Sequence, residues 1–175
     1  MRLLDIMPLE KWMKLEKEIN DNSALNASVF DADGIRITDF KKWANRLCPV
    51  VKANEKGRSY ICAVAHQNAA NQARKTREPA IVECDAGLVK AVVPIFVDDE
   101  FLGVAGGCGL LQGDSEVDSF LVNKTTGIPV AEIENLSDDI TFISMAKLES
   151  VIEFIGHELE WITHDAGNQR FVSAG

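Results

Sequence analysis

Leu9, Trp12, Met13 and Ile19 fall on one face at helical spacing, and Pro8 suits the first helical position, which predicts a helix over about 8–20. Two β-prone runs, 25–30 and 35–38, flank Asp31-Ala32-Asp33-Gly34 and predict a hairpin. Helical stretches over about 40–52 and 59–77 follow, the second rich in alanine with Ser59 as its N-cap. Runs 80–84, 88–97 and 101–110 read as strands, the last two joined by a turn at Asp98-Asp99-Glu100. Their apolar density (Val92, Val93, Ile95, Val97, Leu102, Val104) predicts the centre of a sheet. Gly103, Gly106, Gly107 and Gly109 crowd the last strand, which implies a bulge or a close approach by ligand or backbone. The pattern then predicts a helix over 115–123, an irregular stretch over 125–135 and a long final helix over 137–163.

This order lacks βαβ alternation and any phosphate-binding glycine loop, so the expected class is α+β. Five antiparallel strands, helices on one face and two helices inserted between the second and third strands are the arrangement of PAS- and GAF-like sensor domains. No linker divides the chain: 1–135 reads as the sensor body and 136–175 as its C-terminal helix with a short tail. Along that helix Met145, Leu148, Ile152, Ile155, Leu159 and Ile162 recur at spacings of 3, 4, 3, 4 and 3, with Val151 adjoining. Such a stripe serves either a homodimer seam or packing on the helix's own sheet; the expectation is the homodimer.

Composition adds mainly exclusions. The chain has 175 residues, enough for one domain with a core, and 46% are apolar. Twenty-seven acidic residues against 18 basic leave a net charge of −9, which speaks against nucleic acid and anionic membranes. No apolar stretch approaches the roughly 20 residues of a membrane span. Residues 1–8 show neither a long apolar run nor a cleavage site, so the expected location is cytoplasmic and no membrane insertion is foreseen. In that compartment the four cysteines, Cys48, Cys62, Cys84 and Cys108, are expected as free thiols. Their gaps of 14, 22 and 24 residues match no zinc-ribbon or thioredoxin spacing.

Several landmarks in order resemble a known family. Val29-Phe30-Asp31-Ala32-Asp33-Gly34 is similar to its strand and Asp-x-x-Gly turn. Leu47-Cys48-Pro49 and Ser59-Tyr60-Ile61-Cys62 match its first two cysteines. The most specific part is Val82-Glu83-Cys84-Asp85-Ala86-Gly87-Leu88, then Val93-Pro94-Ile95 and Phe101-Leu102-Gly103. Over roughly 8–125 the chain resembles the sensory domain named after the PocR transcription regulator. It departs where the family has Gly-Gln, reading Gly107-Cys108 and so adding a fourth thiol. The resemblance implies a PAS-like bacterial signalling domain for small molecules, such as short diols and related metabolites, working with an output module or partner protein; it does not imply an enzyme.

In such a fold the inserted helices close over one sheet face, so all four thiols are expected to converge on one cavity. His66, four residues from Cys62 on the same helix face, can reach a shared metal. Tyr60, Gly87, Gly103 and Gly107 are expected as pocket lining. Thiolates favour zinc or an iron–sulfur cluster; otherwise the pocket holds a small organic ligand. Free cysteine also packs as a small hydrophobe, and a thiol-based redox or metal-binding protein is the alternative function. His157 and His164 read as solvated. Asp31, Asp33 and Gly34 do not begin a calcium loop, because the twelfth position is Lys42 rather than glutamate. No nucleophile triad is legible around Ser59, Ser115 or Ser119.

Overall fold

The apolar runs near the middle of the chain form the centre of a sheet, and every other element is placed by it. The protein is described by a computed structural model covering residues 1–173, with side chains as far as His164. Its elements are α1 (Leu3–Ile6), α2 (Leu9–Ser23), β1 (Asn26–Asp31), α3 (Leu47–Ala53), a π-helical turn (Gly57–Cys62), α4 (Ala63–Thr76), β2 (Ala80–Glu83), β3 (Val89–Val97), β4 (Glu100–Gln112), α5 (Ser119–Thr126), α6 (Val130–Ser137), β5 (Phe142–Ile143) and α7 (Met145–Ser173). The strand order is β1-β4-β3-β2, antiparallel throughout, with β5 added in parallel to the end of β4. This is the α+β class, with five strands and a long C-terminal helix.

The turn signals act locally as the sequence implies. Asp31 Oδ1 accepts the N–H groups of Asp33 (3.0 Å) and Ile35 (2.8 Å), while Gly34 adopts φ +77°. The returning run 35–38, however, makes only one bridge, Phe30 to Arg36. Its side chains serve another end: Glu16 of α2, fully buried, accepts the Val29 N–H (2.8 Å), the Thr38 hydroxyl (2.6 Å) and the Arg36 guanidinium (3.4 Å). Burial pushes the Glu16 carboxyl up, and these donors oppose that.

Helices cover both faces of the sheet, not one. Strand residues point alternately up and down. Ala27, Val29, Val93, Ile95 and Ala105 pack with Trp12, Leu15 and Ile19 of α2 and with Val151, Ile155 and Leu159 of α7. On the opposite face Val92 and Val104 pack with Ala69 and Ala73 of α4.

Three further expectations are corrected. The stripe on the last helix is core: Leu148, Val151, Ile155 and Leu159 are no more than 4% exposed, and Ile152 and Ile162 pack against the same clusters. It is therefore not free to be a dimer seam. Met145, 40% exposed, stands apart from it. Ser59 does not cap a helix; it lies inside the π-helical turn, where Asn54 Oδ1 accepts the Gly57 N–H (3.0 Å). Finally, 125–135 is not irregular throughout, because α6 forms there and buries Ile133 completely. A short chain segment then carries β5 into the sheet, and Ser144 Oγ accepts the Lys147 N–H (3.1 Å) to start α7.

Candidate functional site

The two sheet faces differ in polarity. Register places Asn26 of β1 opposite Cys108 of β4, and Cys108 opposite Lys90 of β3, giving a polar row across three strands. By alternation this row shares its face with Ser28, Phe30 and Val92, the side covered by α4. Asn26, Ser28 and Lys90 are 6–7% exposed. Protein interiors seldom bury such groups without partners, yet Asn26 Oδ1 has no hydrogen-bond partner.

α4 sets His66 over this face. The imidazole is 6% exposed, and neither ring nitrogen has a partner. Its ring lies 3.9 Å from that of Phe30, and the Lys90 ammonium stands 5.6 Å from the Phe30 centroid. Burial, and then the positive charges of Lys90 and Lys52, hold the His66 pKa down to about 4. The ring is therefore neutral near pH 7, with one donor and one acceptor to offer.

The cysteines gather at the end of the face closed by α3 and the π-helical turn. Cys48, Cys62 and Cys84 all pack against the cluster of Leu47, Val51, Ile61, Ala86 and Leu88. Asn45 joins α3 to β4: its Nδ2 donates to Gly109 O (2.6 Å) and to Cys48 Sγ (3.2 Å), and its Oδ1 accepts the Cys48 N–H (2.7 Å). Gly109, at φ +104°, has to be glycine, since a Cβ there would lie 2.9 Å from Ala44 Cβ. The thiols lie near enough to one another that Cys108 and its neighbours oppose ionisation of Cys48, Cys62 and Cys84. Burial, followed by the other thiols, raises Cys48 strongly and pushes Cys62 up to about 11, while burial also raises Cys84. Cys48, Cys62 and Cys84 are thiols, not thiolates, at neutral pH.

The donor types suit a soft metal. Among the described residues, however, no group of three or more His, Cys, Asp or Glu is arranged to hold a metal ion. The side chains as they stand thus bring the thiols into one region without forming a coordination shell.

The expected lining residues divide. Gly87 borders an open recess of about 700 Å³ that also includes Cys84, the acidic side chains Glu83, Asp85 and Asp118, and Ser115. Tyr60 is 63% exposed and does not line an enclosed site. Gly103 and Gly107 serve close packing instead: a Cβ on Gly103 would lie 2.0 Å from Phe30 O, and one on Gly107 would lie 2.8 Å from the Leu25 side chain. Gly107 faces away from the row because its neighbour Cys108 faces toward it. His157 and His164 are exposed.

Sequence reasoning passed over Lys90, Asn26, Lys52 and Asn45. Lys90 had a signal: it is the one charge within Leu88-Val89-Lys90-Ala91-Val92-Val93, a run otherwise destined for the sheet centre. A lone charge there is a buried polar group in need of a reason.

No helix among the described residues is long and apolar enough to cross a membrane. No curated protein and no solved structure matches the chain. The family model of the sensory domain found in PocR matches residues 5–166, nearly the whole chain, including α7 as far as its described side chains reach. With a helix-covered polar sheet face behind it, that match makes this chain a member of the PocR sensory-domain family.

Proposed function

We propose that the domain takes a small-molecule signal on the α4-covered face of its sheet, beside the four thiols, and passes occupancy to α7. The observation that carries this reading is the row Asn26–Cys108–Lys90, its two ends buried, facing an unpartnered His66 and set against an apolar opposite face. Folding alone does not reward such a row, because each group left without a partner costs stability. A ligand that satisfies these groups would stabilise the conformation it binds.

β3 gives the route to α7. Lys90 stands on its ligand side, while Val89, Val93 and Ile95 stand on the side that α7 covers. A shift of β3 on binding would bias how α7 packs, and a bistable packed element of this kind is how sensor domains convert binding into output. The domain binds its signal and does not transform it, and the output module or partner protein reads α7.

Four thiols in one region favour a second reading, in which the bound group is zinc or an iron–sulfur cluster, or in which thiol redox chemistry is the activity. Anaerobic purification followed by metal analysis, a visible spectrum and non-denaturing mass spectrometry separates the two. A colourless, metal-free protein with an added organic mass supports the first; stoichiometric zinc or a brown, iron-containing sample supports the second. Protein that carries nothing, and whose melting temperature no metal or metabolite pool moves, refutes both.

A further inference from the structure

Lys90 is a buried cation without an ion-pair partner among the described residues. It is 6% exposed, and the ion pairs among the described residues include neither Lys90 nor Lys52. The Phe30 ring lies 5.6 Å from its ammonium, and its charge is felt by His66, Lys52, Cys62 and Cys84, none of them an anion at neutral pH. Arg36, whose charge reaches Lys52, is already committed to Glu16. Among the described residues, then, no carboxylate forms an ion pair with Lys90, the most deeply buried lysine. An ammonium taken out of water without a counter-charge is strongly unfavourable, so the counter-charge is expected from outside the chain.

The remaining groups narrow its chemistry. Lys90 offers ammonium donors, His66 offers one N–H and one bare nitrogen, and Asn26 Oδ1 is an acceptor without a donor. The same face carries Cys108, Val92 and Val104, which suit a short apolar body. Resting on the reading above, we infer that the ligand is a small organic acid: its carboxylate lies against Lys90 and the His66 N–H, and a hydroxyl or N–H of its own donates to Asn26 Oδ1. A neutral diol would satisfy Asn26 and His66 but would leave Lys90 as it is.

The test uses the whole chain and two readouts, thermal melting and titration calorimetry. The probes are acetate, glycolate and lactate, their amides, 1,2-propanediol and inorganic phosphate. At least one acid is expected to raise the melting temperature and to bind at least tenfold tighter than its amide. Lys90→Met should raise the melting temperature of the ligand-free protein, because an unpaired charge is gone, and should reduce the acid's affinity to that of the amide. Lys90→Gln, which keeps a polar head, serves if Lys90→Met does not fold, with the same loss of preference expected. Amides or diol binding as tightly as the acids would overturn the inference and leave the small-molecule reading standing. Phosphate binding without any acid, or no response to any acid, would also overturn it, and so would a Lys90→Met protein that melts lower while retaining its preference for the acid.

Discussion

Ile155 decides whether α7 belongs to the core or to an interface. The side chain is 2% exposed and lies in the cluster with Trp12, Ile19, Val93 and Ile95. Ile155→Ala removes about three methylene equivalents, roughly 2.4 kcal/mol of transfer free energy at about 0.8 each. The unfilled cavity raises the expected loss to about 3–4 kcal/mol, within the range of roughly 2–5 for buried aliphatic truncations. For a domain of this size about 1 kcal/mol moves the melting temperature by roughly 2–4 °C, so a drop on the order of 10 °C is expected. Ile155→Asp adds a carboxylate with no partner and should lose more, unfolding the whole domain at room temperature or close to it. Trp161→Ala, on the same helix but 72% exposed, should change stability by no more than about 0.5 kcal/mol. Thermal and urea unfolding followed by circular dichroism, with size-exclusion chromatography alongside, measures all three. An Ile155→Asp protein that keeps the wild-type melting temperature and merely elutes as a smaller species would refute the reasoning, for the stripe would then be an interface between chains.

Two more predictions concern the site. His66 has its pKa held down to about 4 in the folded protein against about 6.5 unfolded, so the unfolded chain binds the extra proton first. Stability should fall as pH drops below about 6.5 and level off near 4, each pKa unit being worth about 1.4 kcal/mol; His66→Leu should flatten that limb, and an unchanged limb would show that the imidazole is not buried neutral. The raised thiols of Cys48, Cys62 (at about 11) and Cys84 should react slowly with iodoacetamide at pH 7, faster as pH rises and at ordinary rates once the chain is unfolded; fast native labelling of any of these three at pH 7, located by peptide mapping, would count against the packing described for them.

What the sequence determined by itself was mostly what is set within a few residues, the Ser59 cap and the strand at 35–38 being exceptions. The Asp31–Gly34 turn, the Asp98–Asp99 hairpin, the helix start after Pro8 and the apolar strands β3 and β4 all depend on side chains next to the backbone they shape. The ordered cysteine and glycine landmarks carried the family, and the family carried the sensory function. Tertiary structure decided what each buried stripe faces. Periodicity states that Leu148, Ile155 and Leu159 leave water, but not whether a sheet or a second chain receives them, and here the sheet does. The same limit hid the second helical layer, since one strand's alternation cannot name the element above it. Ile133 similarly lends α6 a stability that eight residues could not find alone. Most of the candidate site was of this second kind. Cys48, Cys62, Cys84, Cys108 and His66 were legible as reactive types, whereas Lys90 and Asn26 acquired their meaning only when the register of three strands set them in one row beneath α4. Cross-strand neighbours are fixed by pairing over long sequence separations, and a linear pattern holds no record of that pairing.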